Sequence, residues 1–235
     1  MSRVAIVLQA RMGSTRLYGK VLKTLAGKPL LERIVDRLGR CKQSGAVIVA
    51  TSLSERDDAV AALCEKLGVA VFRGSEDDVL DRYWQAVKLF GLDLVIRATG
   101  DNPFVDAQEV DRLVTFREQR GLDYVHAYPD LGSSLPLGLG AEIMTRDALE
   151  RSWEEGKAAH HREHVNEYIQ ENPKLFSQMP LPVPADKSAP GLSFTVDTPE
   201  DFDRAERLMA AYMASHDGDP YVTTPWLIAQ ERRSA

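Results

Sequence analysis

Val4-Ala5-Ile6-Val7-Leu8-Gln9-Ala10-Arg11-Met12-Gly13-Ser14-Thr15-Arg16-Leu17-Tyr18-Gly19-Lys20 is the stretch that decides the fold. Residues 4–8 are apolar without interruption, as in a strand covered on both faces. A loop of glycine, hydroxyl and cationic residues then leaves the strand's C-terminal end. Pro29 starts a helix in which Leu30, Leu31, Ile34, Val35 and Leu38 fall at helical spacing. Residues 46–50 give a second buried strand. Residues 55–67 give a helix with Ala59, Val60, Leu63 and Leu67 on one face, ended by Gly68. The rhythm continues with a strand at 69–72, a helix at 77–90 closed by Gly91, and a strand at 92–98. A helix at 107–120 closed by Gly121 and a strand at 124–127 follow. Repeated β-α units with short joints predict an α/β fold, a mostly parallel sheet with helices on both faces.

After residue 128 the rhythm breaks. Residues 128–140 hold two prolines and three glycines and read as a loop or excursion. A strand is expected at 141–144, a helix at 145–155 capped by Thr145, and a helix at 163–170. Residues 177–192, with four prolines, read as a surface loop. A strand at 193–196 and a helix at 199–213, capped by Thr198, complete the pattern. We expect one domain over 1–235, with an inserted lobe over about 128–192.

The chain has 235 residues, 44% hydrophobic and 27% charged, an ordinary globular composition. Lys and Arg number 29 against 35 Asp and Glu, a net charge of −6, which argues against a nucleic-acid or anionic-membrane surface. No run approaches the ~20 apolar residues of a membrane span, and residues 4–8 are too short an apolar run for a secretory signal. Cys41 and Cys64 form no metal or redox motif, which favours a reducing, cytoplasmic setting.

The loop holds Gly13, Gly19, Ser14, Thr15 and the cations Arg11, Arg16 and Lys20. Small residues let backbone N–H groups approach phosphate oxygens, and Arg and Lys neutralise their charge. The plain alternative is a surface loop of solvated cations. A Walker A loop is excluded: Tyr18 stands where its second glycine belongs, and Val21 follows Lys20. G-x-G-x-x-G is absent, which disfavours a dinucleotide fold of the dehydrogenase type.

Residues 9–17 with Gly19-Lys20 resemble the opening of the cytidylyltransferase-like spore coat polysaccharide biosynthesis protein F family, related to the CMP-sialic acid and CMP-KDO synthetases. The resemblance continues, in family order, through Val49-Ala50-Thr51, Val71-Phe72-Arg73-Gly74-Ser75-Glu76-Asp77-Asp78-Val79-Leu80 and Thr99-Gly100-Asp101-Asn102-Pro103. It ends with Arg162-Glu163-His164-Val165 and Thr195-Val196-Asp197-Thr198-Pro199-Glu200-Asp201. The chain departs from the family at Tyr18, where proline is usual. The resemblance implies a Rossmann-like fold of the nucleotide-diphospho-sugar transferase (GT-A-like) type, and transfer of CMP from CTP to an acidic or 2-keto sugar for polysaccharide biosynthesis. It further implies Mg²⁺, a homodimer, and sugar binding or dimerisation in the inserted lobe.

It also implies site residues. Arg11, Arg16 and Lys20 would hold the triphosphate, with Gly13 and Ser14 beside it. Gln9 and Ala10 would read the base edge, and Arg73 and Ser75 would lie near the nucleotide. Arg11, Lys20 and Asp101 would be catalytic. Asp101 and Asp197, each just after an expected strand on one sheet edge, would be the metal pair, which suits hydrated Mg²⁺. Each residue has a plainer alternative: a turn for Asp101, a helix cap for Asp197, and a capping cluster around Ser75, Asp77 and Asp78. Arg162 and His164 read either as a sugar- or dimer-facing pair or as a solvated helix start. His160, Glu163 and His164 match H-x-x-E-H, but the β-α organisation does not resemble the zinc peptidases that carry it. Two rival functions stay open. One is a GT-A-like glycosyltransferase with a nucleotide-sugar donor, disfavoured because Asn102 and Pro103 supply no second carboxylate after Asp101. The other is a non-catalytic nucleotide-binding subunit.

Overall fold

The computed structural model describes residues 2–234. From the N-terminus, β1 (Val4–Gln9) is followed by a small antiparallel hairpin, β2 (Thr24–Leu25) and β3 (Lys28–Pro29), and by α1 (Leu30–Leu38). Next come β4 (Val47–Ser52), α2 (Asp58–Leu67), β5 (Ala70–Gly74), α3 (Val79–Phe90), β6 (Leu94–Thr99), α4 (Ala107–Arg120) and β7 (Tyr124–His126). The remainder comprises β8 (Glu142–Thr145), α5 (Arg146–Glu155), the short helices α6 (Ala159–Glu163) and α7 (Glu167–Glu171), β9 (Gln178–Pro180), α8 (Pro199–Ser215) and α9 (Thr224–Ser234).

Seven strands form one sheet in the order β5-β4-β1-β6-β8-β7-β9, and β8 alone runs against its neighbours. The expected mostly parallel α/β architecture is the one observed. β1 is buried on both faces: Ile6 and Leu8 enter the core shared with α1, α4 and α8, while Ala5 and Val7 enter the core shared with α3 and α5. A fully buried side chain of the Ile or Leu class contributes about 1.5–3 kcal/mol relative to exposure. The order turns at β1, which has β4 on one side and β6 on the other. The crevice outside the carboxyl ends of such strands is where open α/β sheets take ligands.

Helix starts follow the expected chemistry. Asp78 accepts from the Asp81 N–H at 2.8 Å, Thr145 from Ala148 at 3.1 Å, and Thr198 and Asp201 cap one another reciprocally. Among the described residues no helix is long and apolar enough to cross a membrane.

Several expectations need correction. Residues 193–196 are extended but join no ladder. Phe194 N–H donates to Leu137 O and Val196 N–H to Asp101 O, both at 2.8 Å, so the segment crosses loops at the sheet edge. The expected helix over 163–170 breaks at His164, whose extended backbone turns Val165 into the core before α7 begins. The Pro-rich segment is more than a surface loop, because β9 extends the sheet beside β7 and Lys187 is buried. Residues 128–192 thus contribute β8 and β9 to the main sheet. The β2–β3 hairpin and α9 are additions that the periodicity did not predict.

Candidate active site

The loop after β1 is built by its own backbone and one buried carboxylate. Asp57, fully buried, accepts from the Met12 N–H at 2.7 Å and from the Ser52 N–H and hydroxyl, tying the loop to the end of β4. Gly19 closes the loop by donating to Met12 O at 3.0 Å with φ at +67°, a conformation that glycine adopts without strain. The Ser14 hydroxyl accepts from the Leu17 N–H at 3.3 Å. The loop, the end of β6 and residues 163–164 enclose a cavity of about 390 Å³ lined by Gln9, Ala10, Arg11, Gly13, Ser14 and Arg16, among others.

Lys20, only 8% exposed, is the hub. Its Nζ donates to Val196 O at 2.7 Å and Asp197 Oδ1 at 3.0 Å, with Asp101 Oδ2 at 3.5 Å. Arg16 Nη2 also reaches Asp197 Oδ1 at 3.0 Å. Asp101 is oriented in turn by Thr99, whose hydroxyl donates to its Oδ1 at 2.5 Å. Gly100 lets these strand ends close up, since a Cβ there would lie 3.0 Å from Gln9 O and 3.2 Å from a Val21 methyl. Two carboxylates and two cations from three chain segments therefore meet at one sheet edge.

A second cavity of about 360 Å³ adjoins the first, and Arg97, Thr99, Asp101 and His164 face both. Its far wall includes Tyr128, Asp130, Asn166, Glu167, Gln170 and Thr195. Arg97 is held by Glu142 at 2.5 Å and Tyr128 Oη at 3.3 Å. Burial disfavours the Arg97 charge, but Glu142 more than offsets this, so its pKa is raised. Glu142 also accepts from Tyr124 Oη, which itself accepts from Gln170 Nε2 at 3.0 Å. The wall between the cavities is thus a polar network centred on Glu142, in which Arg97 Nε is buried without a partner.

The profile of the cytidylyltransferase family matches residues 5–222. The chain belongs to that family. The spore coat polysaccharide biosynthesis protein SpsF of Bacillus subtilis is 36% identical over 213 residues, 88% of this chain and 87% of that protein. Protein MJ1063 of Methanocaldococcus jannaschii is 42% identical over 196 residues, 83% and 79% of the two chains. Among solved structures, a cytidylyltransferase from Leptospira borgpetersenii superposes with a TM-score of 0.89 at 28% identity, covering 100% of this chain and 95% of its own.

In this cytidylyltransferase the structure brings together Gln9, Ala10, Arg11, Gly13, Ser14, Arg16, Lys20 and Asp101 around the first cavity, with Asp197 joined through Lys20 and Arg16. His164 faces both cavities. Arg73, Ser75 and Arg162 have other contacts. Arg73 donates to Ser52 O at 2.9 Å and Ser54 O at 3.0 Å and pairs with Asp58 at 2.7 Å. Ser75 Oγ accepts from the Asp78 N–H at 3.0 Å, the capping alternative. Arg162 pairs with Asp78 at 2.6 Å and donates to Trp153 O at 2.9 Å, locking α6 onto α3. The H-x-x-E-H residues also part: His160 turns to Glu171 at 3.0 Å, while Glu163 and His164 line the first cavity.

Two arginines escaped sequence reasoning. Arg97 lies inside the strand expected at 92–98, where a single charge amid apolar residues was its signal. Arg82, fully buried in α3, shares the Glu76 carbonyl with Arg11 at 3.4 and 3.3 Å, and its Nε and Nη2 have no partner. Burial lowers its pKa.

Proposed function

We propose that this enzyme transfers CMP from CTP to a sugar hydroxyl and releases pyrophosphate, serving polysaccharide biosynthesis. The hydroxyl oxygen bonds to the α-phosphorus as the bond from that phosphorus to the bridging oxygen breaks; pyrophosphate leaves with that bond's electron pair, and the hydroxyl proton passes to water. The reading rests on one observation: Arg11, Arg16 and Lys20 share a sheet-edge cavity with Asp101, and Asp197 joins them. Phosphoryl transfer of this kind is mainly positioning and charge neutralisation. Arg11, Arg16 and Lys20 would bind the triphosphate and hold the departing pyrophosphate. Gln9, whose buried Oε1 has no partner, would meet the base amino group.

The carboxylates fit Mg²⁺. Asp101 and Asp197 approach one common cation, the Lys20 ammonium, and neither is fully buried. A magnesium ion is held by one or two carboxylates, with water and phosphate completing its shell. When bound, it would neutralise phosphate charge and polarise the α-phosphorus.

The second cavity would take the acceptor, with Arg97 and His164 at the junction and Tyr128, Asn166 and Gln170 offering hydroxyl and amide groups. The family resemblance points to an acidic or 2-keto sugar. A second reading, a neutral or amino sugar, is favoured by the charge of this wall: Asp101, Asp130 and Glu167 face it, and Arg97 is already neutralised by Glu142. A cytoplasmic homodimer belongs to the same proposal, and sedimentation tests the dimer.

The test is pyrophosphate release with Mg²⁺ and each of four ribonucleoside triphosphates, against 2-keto acids, neutral sugars and amino sugars. Release with CTP and one acceptor class supports the reading and selects between the two acceptors. Release with another triphosphate alone overturns the cytidine assignment, and no nucleotide binding at all overturns the function.

A further inference from the structure

A third cavity, of about 260 Å³, lies between α1, α8 and the segment before α9, and shares no lining residue with the two above. Its wall is cationic although the chain as a whole carries −6. Arg33 and Arg37 stand four residues apart on one face of α1, Arg40 follows just past its C-terminal end, and all three line the cavity. None of them has a carboxylate partner among the described residues. Asp36, the acidic residue of the lining, is held by Lys28 at 2.9 Å.

The cavity is built rather than incidental. Arg37 is only 4% exposed, and its Nε and Nη2 donate to Val105 O at 2.9 Å, Phe104 O at 3.1 Å and Val222 O at 2.9 Å. Its Nη1 is buried without any partner. A buried guanidinium donor left unpaired is costly. Because Nη1 has no surface open to the cavity, the pull on an anion there comes from the combined charge of the three guanidiniums. Burial lowers the Arg37 pKa, and Tyr221, Asp106 and Asp219 offset this only in part. Arg33, equally buried, spends its Nε on Leu25 O at 3.1 Å. Arg40, exposed, stacks over the Tyr221 ring at 3.7 Å, and Tyr221 Oη donates to Arg37 O at 2.8 Å. The three guanidiniums are therefore fixed by carbonyls and an aromatic ring.

We propose that this cavity is a second binding site, for a tetrahedral oxyanion: phosphate, or the phosphate group of a small monoester. Planar guanidiniums match phosphate oxygens in geometry as well as charge. Its volume admits an oxyanion with a short organic tail and excludes a nucleoside triphosphate. The site borders both arms of the candidate active site. Arg33 holds the hairpin that follows Lys20, and Arg37 holds the carbonyls that follow Asp101 and Asn102.

Calorimetry with inorganic phosphate, and separately with glycerol 3-phosphate, tests this on the full chain and on two charge reversals. R16E disables the β1 loop; R40E disables this cavity at an exposed position. The expected result is one phosphate site that survives in R16E and weakens at least tenfold in R40E, a change of about 1.4 kcal/mol or more. Tighter binding of the monoester identifies an ester ligand, and equal binding identifies free phosphate. Loss of all binding in R16E, or binding in R40E equal to the parent, overturns the proposal. Should R40E fold poorly, the Arg37 Nε–H resonance of the parent is the second readout: it shifts on phosphate addition if the site is real, and an unmoved resonance overturns it.

Discussion

Replacing Lys20 with methionine removes the one cation on which the chain's two candidate metal carboxylates converge. The substitution keeps the length and apolar stem of the side chain and deletes the ammonium. That ammonium donates to Val196 O at 2.7 Å and Asp197 at 3.0 Å, and attracts Asp101 at 3.5 Å. A hydrogen bond to a charged group is worth about 1.5–3 kcal/mol. Asp101 and Asp197 are partly exposed, so water solvates them once the lysine is gone and the stability loss falls toward about 1–2 kcal/mol. Turnover should suffer more, because losing a donor aimed at developing charge costs roughly a hundred- to a thousand-fold. Urea denaturation measures the first quantity and continuous pyrophosphate release the second. Lys20→Arg should not restore the rate, since a planar fork cannot replace a compact ammonium at a site only 8% exposed. Turnover of Lys20→Met within about threefold of the parent would refute the assignment of Lys20 to the triphosphate.

Asp197→Asn should raise the Mg²⁺ concentration needed for half-maximal turnover at least about tenfold while leaving the urea midpoint nearly unchanged. Lys187→Met removes the ammonium paired with two buried carboxylates, Asp106 at 2.8 Å and Glu109 at 3.0 Å; Glu109 keeps Arg112 at 2.6 Å, so the loss falls mainly on Asp106 and should cost about 3 kcal/mol in urea denaturation. The same cluster sets a pH dependence. Burial acts to raise the Asp106 pKa, but Lys187 and Thr224 outweigh it, so the folded value lies below the ordinary 3.8. Its stabilising contribution is then complete above about pH 4 and disappears as pH falls through the folded pKa, which thermal melts across pH 2–6 follow in parent and Asp106→Asn. Gly100→Ala should force apart the ends of β1 and β6, since its Cβ meets a carbonyl oxygen at 3.0 Å, and should lower stability by about 1–3 kcal/mol, read in the same urea assay.

Much of this architecture was legible because its strands are covered on both faces. Continuous apolar runs such as residues 4–8 and 46–50 are too short for a helix and read as buried strands, and Gly68, Gly91 and Gly121 end their helices with φ near +60°. The misreadings arose where burial and hydrogen bonding separate. Phe194 and Val196 alternate and are buried as in a strand, yet their N–H groups bond to loop carbonyls. His164 interrupts a helical pattern: its backbone is extended, and Val165 next to it is fully buried. In the site, the β1 loop was readable from composition, since cations and glycine crowd one strand end. The partners of Arg73 and Arg162 were not. An arginine that binds a ligand and one that binds backbone carbonyls have the same letter, and only geometry separates them. Arg37 shows the limit most clearly: its position on α1 reads as one more helical cation, while its Nη1 is buried without a partner.

The central claim is that the β1 loop and the ends of β6 and the 193–197 segment hold a nucleoside triphosphate. Backbone amide chemical shifts during a CTP titration with Mg²⁺ test it most directly, because they locate the ligand without requiring the acceptor sugar. The account predicts the largest shifts at residues 10–20, 99–101 and 196–197, saturating together with one affinity. Shifts confined to α1 and Tyr221, or spread without saturation, would contradict it.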